Sequence, residues 1–175
     1  MLTKLKALQK QLQKEKLEKY HRRVSLGDLV TDRWENAQEY GFGAGTSCYD
    51  NVLVLGEVRV GKHVWIGPNV ILDGSGGGLV IGDYCTISAG VQIYTHNNLE
   101  ATLTKGKAPI VQKPTRIGQG VYIGPNSIVQ MGVTIGDRAV VGAMSLVNKD
   151  IPGRKKAWGC PARIVGEVKL PRKKR

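Results

Sequence analysis

The chain has 175 residues and a formal net charge of +12. That length supports one domain with its own core, and no apolar run in it is long enough to cross a membrane. The charge is concentrated at the ends. Residues 1–23 carry a net +6 and residues 149–175 a net +8, while the stretch between them carries −2. No aromatic residues are interleaved with the basic ones, so stacking on nucleic acid bases is not expected, and solvated or phosphate-facing ends are the better reading. Cys48, Cys85 and Cys160 are widely spaced, with no metal-type pair among them. An odd thiol count and a polar N-terminus without a signal-peptide core predict a reduced, cytoplasmic protein.

Residues 1–42 read as a helical segment. A basic helix over 2–20 puts Leu5, Leu8 and Leu12 on one face. A second helix follows, with Ser25 and Asp28 as capping side chains and Gly41 as its stop. Trp34 and Tyr40 are expected to cover the first layer of whatever comes next. The narrow apolar face of the basic helix favours capping or subunit contact over peripheral contact with an anionic membrane.

From residue 43 to 168 the pattern changes to a period of six. Ile117, Ile123, Val129, Ile135, Val141 and Val147 are spaced by six, and glycine follows four of them at 118, 124, 136 and 142. Small or β-branched residues recur four places after the aliphatic ones, at Val121, Ser127, Val133, Ala139 and Ser145. The same frame holds at Val60, Ile66 and Leu72. It returns, shifted by the inserted turn GSGGG at 74–78, in Ile81, Ile87 and Ile93. A period of six fits neither a helix nor a long alternating strand. It fits a short strand and a tight corner, repeated, with the aliphatic residue inward. The glycine is expected to allow close approach of backbones or a positive φ. Three units close a triangular turn, and the turns stack in parallel. A β-sandwich would show strands of uneven length. KLPRKKR, residues 169–175, reads as a solvated basic tail.

The frame breaks once more. Between Ile93 and Ile117 its slots fall on Leu99 and Lys105, so a loop at about 95–110 leaves the prism, and Val111 and Ile117 are expected to resume the wall. His96 stands where this loop departs. An imidazole there suits proton transfer at neutral pH, and equally suits the capping of a turn.

Three segments, IGDYCTISAGVQIYTH, RIGQGVYIGPNSIVQMGVTIGDRAVVGAMSLVNKDIP and GCPARIVG, resemble the hexapeptide-repeat acyltransferases. The likeness covers roughly residues 50–168, and it is greatest to the maltose, galactoside and nodulation-factor acetyltransferases and to the polysaccharide O-acetyltransferases. It implies an all-β fold, a left-handed parallel β-helix with short N-terminal helices. It also implies acetyl-CoA as co-substrate, a sugar or nucleotide-sugar acceptor, and a homotrimer with its active sites between subunits. THNN matches the loop motif whose histidine is the general base, which assigns that role to His96. The family's CoA contacts fall on Gly124 and Pro125, Gly142 and Ala143, Asn148 and Lys149, and Arg163. Serine or alanine is usual where Pro125 stands, and proline offers no N–H. Threonine is frequent where Asn148 stands. Asn69 and Asp73 are candidates to face the acceptor, or to hydrogen-bond a corner.

The expected reaction is O-acetylation of a sugar or glycan precursor, with N-acetylation of an amino sugar as the alternative. No metal is expected. A zinc hydratase of the γ-carbonic anhydrase type needs three well-placed histidines, and of His21, His63 and His96 the first lies outside the repeat. Cys85 falls on an inward small-residue slot and reads as core.

Overall fold

The structure, a computed structural model, describes residues 1–169. It is mostly β, a parallel β-solenoid of about six turns with a few short helices. Its core is three columns of stacked aliphatic side chains, one behind each wall. Cys48, Ile66, Ile87, Ile123, Val141 and Ala157 stack in register behind the first wall. Val54, Leu72, Ile93, Val129 and Val147 stack behind the second. Val60, Ile81, Ile117, Ile135 and Ile151 stack behind the third. Apart from half-buried Val54, all of these side chains are buried, so the six-residue frame is a direct read-out of the core.

The corners refine the expectation about glycine. Gly118, Gly124, Gly136 and Gly142 are not in the left-handed region; they are required by close approach. A Cβ on Gly124 would lie 2.5 Å from the Ala143 nitrogen, and one on Gly136 would lie 2.4 Å from the Gly153 nitrogen. The left-handed position comes two residues later and admits other residue types: Asn69, Tyr84, Gly120, Asn126, Arg138 and Met144 all have positive φ. The small inward residues fill the narrowing corners. Where they are serines, their hydroxyls are satisfied: Ser127 and Ser145 donate to the Gly142 carbonyl at 2.9 and 2.8 Å.

The N-terminal segment forms three helices: α1 (Leu2–Tyr20), α2 (Leu26–Val30) and α3 (Arg33–Glu39). The expected second helix is thus two, divided at Thr31–Asp32. Ser25 caps α2 by accepting from the Asp28 N–H, and Asp32 caps α3 by accepting from the N–H groups of Trp34 and Glu35. Asp28 is therefore no cap. It is buried and takes both guanidinium nitrogens of Arg33 at 2.9 and 2.8 Å, while that guanidinium lies 3.6 Å from the Tyr49 ring centre. Trp34 and Tyr40 do not cover the first coil either, since both are exposed. Ala37 and Phe42 do so instead, and Asn36 donates to the carbonyls of Cys48 and Tyr49. A short helix lying this close to a wall needs a small side chain at the contact, and Ala37 supplies it. Helix α1 buries no residue, and no described helix is long and apolar enough to cross a membrane.

The other end is closed by an antiparallel pair, Lys155–Trp158 with Arg163–Glu167. Val168 lies just past that pair, and residues 170–175 of the expected basic tail lie outside the described residues.

Two interruptions of the frame share one corner, the edge between the second and third walls. In one coil Leu72 to Ile81 takes nine residues, and in the next Ile93 to Ile117 takes twenty-four, where six is the rule. The inserted segments are therefore stacked on each other. The longer one opens with a two-stranded antiparallel ribbon pairing His96 with Gln112 and Asn97 with Val111. It carries helix α4 (Leu99–Leu103) at its tip. Val111 thus belongs to the excursion, and the wall resumes at Thr115–Ile117. The reason is chemical: once His96 and Asn97 have left the wall, their backbone groups need a partner strand, and Val111–Gln112 is the nearest.

Candidate functional site

His96 is held by the shorter insertion beneath it. Its Nδ1 lies 3.2 Å from the Ser75 hydroxyl and 2.6 Å from Oδ2 of Asp73. The Ser75 hydroxyl in turn donates to Oδ1 of Asp73 at 2.5 Å, and the Ser75 N–H donates to the same oxygen at 3.0 Å. The Oδ2 atom makes no directed hydrogen bond of its own among the described residues, so its closeness to the ring is a charge contact. Asp73 is fully buried, while the His96 side chain keeps 30% of its surface exposed. The Ser75 hydroxyl, already committed as a donor to Oδ1, can only accept from Nδ1, and the negative charge of Oδ2 beside it favours a hydrogen on that nitrogen. The neutral ring therefore carries its hydrogen on Nδ1 and leaves Nε2 bare. Nε2 meets no protein partner among the described residues.

Burial alone would raise the Asp73 carboxyl. The Ser75 hydroxyl, the Ser75 N–H, the charge of His96 and the Thr95 N–H outweigh it, and they hold the group below its ordinary value near 3.8. The corner thus stores an ionised carboxylate under an imidazole, an arrangement that fixes the ring's tautomer.

The base of the longer loop is stapled to the wall. Thr95 accepts from the Gly76 N–H at 2.8 Å through its hydroxyl, and its carbonyl accepts from the Lys113 N–H at 2.8 Å. Thr115 donates to the Tyr94 carbonyl at 2.7 Å. Gly76 is the point of closest contact. A Cβ there would sit 2.1 Å from the Thr95 oxygen and 2.7 Å from the His96 Cβ. Gly76→Ala is therefore expected to cost about 1–3 kcal/mol of stability and to move His96 off its partners. Thermal unfolding and turnover, measured together on that variant, check this.

The other expected site residues divide by corner. Asn69 lies between the first and second walls, not at the His96 corner; its Oδ1 accepts from the Asn51 side chain at 2.8 Å. It is an exposed corner residue in the left-handed conformation, hydrogen-bonded across the corner as one of the two expectations had it, and within its own chain it is not beside His96. Of the two expectations for Asp73 the corner hydrogen bond holds: it is buried and occupied with Ser75 and His96, so it positions the histidine and does not face an acceptor. Gly124, Pro125, Gly142 and Ala143 line the same corner as Asn69. Gly142 is explained by stacking, since a Cβ there would lie 2.7 Å from the Trp158 Cβ, and Gly124 by its contact with Ala143. Pro125 and Ala143 are exposed, and the Pro125 carbonyl accepts from the Met144 N–H at 2.9 Å. Asn148 and Lys149 lie on the His96 corner, further towards the C-terminal end. Lys149 and Arg163 together line a cavity of about 250 Å³ with Asp150, Ile151, Ala157, Ala162 and Ile164, and Asp150 is engaged through Oδ1 by the Thr134 N–H. Two cations against one carboxylate leave a net positive charge beside an apolar lining, which suits a phosphate-bearing ligand with an uncharged arm.

Ser75 is the residue sequence reasoning missed. The signal was present: the insertions at 74–78 and after 93 interrupt the same corner in adjacent coils, so their residues must meet.

The histidines do not converge. His63 stacks on Tyr84 at 4.9 Å on the corner between the third and first walls, and among the described residues no group of three metal-ligating side chains comes together. The Cys85 thiol is buried, donates to the Gly118 carbonyl at 3.0 Å and is pushed up by burial. That is the opposite of what a nucleophile needs.

Two family models match the chain: the bacterial transferase hexapeptide (six repeats) over residues 114–149, and the hexapeptide repeat of succinyl-transferase over 57–95. Galactoside O-acetyltransferase of Escherichia coli K12 is 28% identical over 83% of this chain and 88% of its own. Nodulation protein L of Rhizobium meliloti is 41% identical over 62% of this chain and 59% of its own. Among solved structures, AntD, an N-acyltransferase from Bacillus cereus determined with dTDP and coenzyme A, shares the fold, with a TM-score of 0.67 at 24% identity over 73% of each chain. A hexapeptide-repeat containing acetyltransferase from Vibrio cholerae superposes with a TM-score of 0.71 at 31% identity, covering 95% of this chain and 94% of its own. With the six-residue frame, the stacked coils and this near full-length likeness together, the chain belongs to the hexapeptide-repeat acetyltransferases.

Proposed function

We propose that the protein transfers the acetyl group of acetyl-CoA to a hydroxyl of a sugar or glycan precursor, with His96 as general base. The observation that carries this reading is the carboxylate-backed imidazole at the loop corner. His96 Nε2 takes the proton of the acceptor hydroxyl as its oxygen attacks the thioester carbonyl. Ser75 accepts from Nδ1–H, and Asp73 balances the imidazolium charge. His96 then returns the proton to the departing sulfur, so the products are an acetyl ester and a free thiol. Acetyl-CoA supplies the activated acyl group. A hydroxyl needs its proton removed during attack, whereas a neutral amine attacks unaided and loses its proton afterwards. A base oriented this firmly therefore favours O- over N-transfer.

Lys149 and Arg163 fit the phosphates of the co-substrate, and the exposed edge at Pro125 and Ala143 fits its uncharged arm. The Pro125–Ala143 edge and the His96 corner lie at opposite edges of the second wall, so a single chain does not bring the arm to its own His96. A homotrimer resolves this when the second wall faces the threefold axis. Each His96 corner then meets the Pro125–Ala143 corner of a neighbour. The outward side chains of that wall support the arrangement, since apart from Gln92 the row of Leu53, Ile71, Ile128 and Leu146 is apolar and exposed or half-buried. On the third wall the equivalent places are Arg59, Val80, Arg116 and Thr134.

The test follows CoA release from acetyl-CoA with a thiol reagent across neutral sugars, amino sugars and nucleotide-linked sugars, with mass analysis of the product. An acetylated product cleaved by mild alkali supports the reading. An alkali-stable amide would replace it with N-transfer, and the absence of release with every acceptor would reject it.

A further inference from the structure

The GSGGG insertion does more than seat His96. Gly76 is packed against Thr95 and His96, but the next two glycines are open: a Cβ on Gly77 would find Pro114 no nearer than 3.4 Å, and one on Gly78 only the Glu57 carbonyl at 3.8 Å. Both lie at positive φ, 104° and 93°, where side chains are strained. The result is a strip of bare backbone running from the histidine onto the third wall. It forms the floor of a cavity of about 190 Å³, lined also by Glu57, Arg59, Leu79, Val80, Pro114, Thr115 and Arg116.

The two arginines of this cavity are fixed by the register. Arg59 pairs with Val80 and Val80 with Arg116, so their backbones are two strand spacings apart, roughly 9–10 Å. That spacing lets two guanidinium groups close on one anion from either side. Arg116 has no carboxylate partner among the described residues. Arg59 pairs with Glu57, but both side chains are largely exposed, at 75% and 63%. A pair so open to water is readily exchanged for a better anion. The cavity keeps one positive charge in excess. Its volume is below that of a whole small-molecule site and suits a phosphate group. It also lies on the opposite side of His96 from Lys149 and Arg163, with Arg59 two coils before the histidine's coil and Lys149 two coils after it.

We infer that Arg59 and Arg116 form a phosphate subsite on the glycine strip beside His96, and that the acceptor is a phosphate-bearing sugar, either a sugar phosphate or a nucleotide-linked sugar. The acceptor assignment rests on the function proposed above; the subsite itself does not. An acceptor anchored there by its phosphate extends its sugar along the bare strip towards Nε2. A glycine strip is required because any side chain at 77 or 78 would stand between the anion and the base.

The test is calorimetric titration of UDP into the enzyme saturated with CoA, which keeps the probe off the Lys149–Arg163 cavity. Arg116→Gln and Arg59→Gln are each expected to weaken UDP binding by about tenfold, the loss of one charge-assisted contact. Both residues are exposed, so neither change threatens the fold, and CoA affinity should be unchanged. In turnover, the same variants should raise KM for a UDP-linked sugar by a similar factor while leaving KM for acetyl-CoA and turnover of the neutral sugar alone. No UDP binding by the wild-type complex, or equal binding by both variants, would overturn the subsite. A loss of CoA affinity in Arg116→Gln would overturn it in favour of a co-substrate contact. Arginine-dependent UDP binding by an enzyme that acetylates no acceptor would keep the subsite and reject the function it was tied to.

Discussion

His96→Ala is expected to lower kcat by about 10²- to 10⁴-fold, the usual worth of a positioned general base. The thermal midpoint and the affinity for CoA should hardly change. The side chain is partly exposed and its contacts run to one corner only, so removing it opens no cavity in the stacked core. It does leave Asp73 with Ser75 as its remaining side-chain partner, a modest cost beside the catalytic one. Acetyl transfer to the best acceptor and CoA binding, measured on the same preparation, separate the two effects. Turnover within a factor of a few of wild type would remove His96 from the mechanism.

Asp73→Asn is expected to be nearly as severe in kcat, on the order of 10²- to 10³-fold, because the amide disturbs the tautomer as well as the charge. An amide Nδ2 facing Nδ1 presents a donor where the ring needs an acceptor. The proton then shifts to Nε2, and the nitrogen facing the acceptor is no longer a base. Ser75→Ala should be milder, about tenfold, since the carboxylate survives it. A second readout distinguishes positioning from general damage. The Asp73 carboxyl is held below its ordinary value in the folded chain, so its contribution to stability is complete above that ordinary value, near pH 3.8. It is lost as the pH falls through the lowered folded value. Asp73→Asn should abolish that segment of the acid-unfolding profile. Chemical denaturation at several pH values below 5 checks it, and a profile identical to wild type would contradict the assignment.

The columns of the core were legible because a solenoid repeats one environment. Each of Ile117, Ile123, Val129 and their fellows meets the same kind of neighbour, so a single spacing reports all of them. The excursion after Ile93 was legible for the same reason, as a failure of that spacing, and His96 with it. Its partners were not. Ser75 and Asp73 are more than twenty residues from His96, and they meet it only because two insertions at one corner stack across coils. That requires keeping the frame through both gaps and comparing where they fall. For Asp73 the sequence leaves a choice between a ligand group and a corner hydrogen bond, and only its burial and its bonds to Ser75 decide for the second.

The helical cap was read less well. Asp32 rather than Asp28 begins α3, because the chain turns at Thr31 and a buried Asp28 is taken up by Arg33. Trp34 and Tyr40 have the size expected of a lid, but α3 approaches the first coil on its Ala37 and Asn36 side, and that phase is set by the wall. Glycine was ambiguous throughout. At 124, 136 and 142 it serves the stacking of coils, at 76 it admits the histidine, and at 77 and 78 it leaves a surface bare. Composition alone cannot divide these roles; the neighbour met by an added Cβ does.

The central claim is that the two stacked insertions present His96 with its hydrogen on Nδ1 and a bare Nε2. The most direct measurement is the ¹⁵N NMR spectrum of the imidazole in enzyme labelled at histidine, recorded where the ring is neutral and assigned by comparison with His96→Ala. The account predicts one tautomer, with a protonated Nδ1 and an unprotonated Nε2, and conversion to the opposite tautomer in Asp73→Asn. A wild-type ring protonated on Nε2, or averaging freely between the two forms, would contradict it.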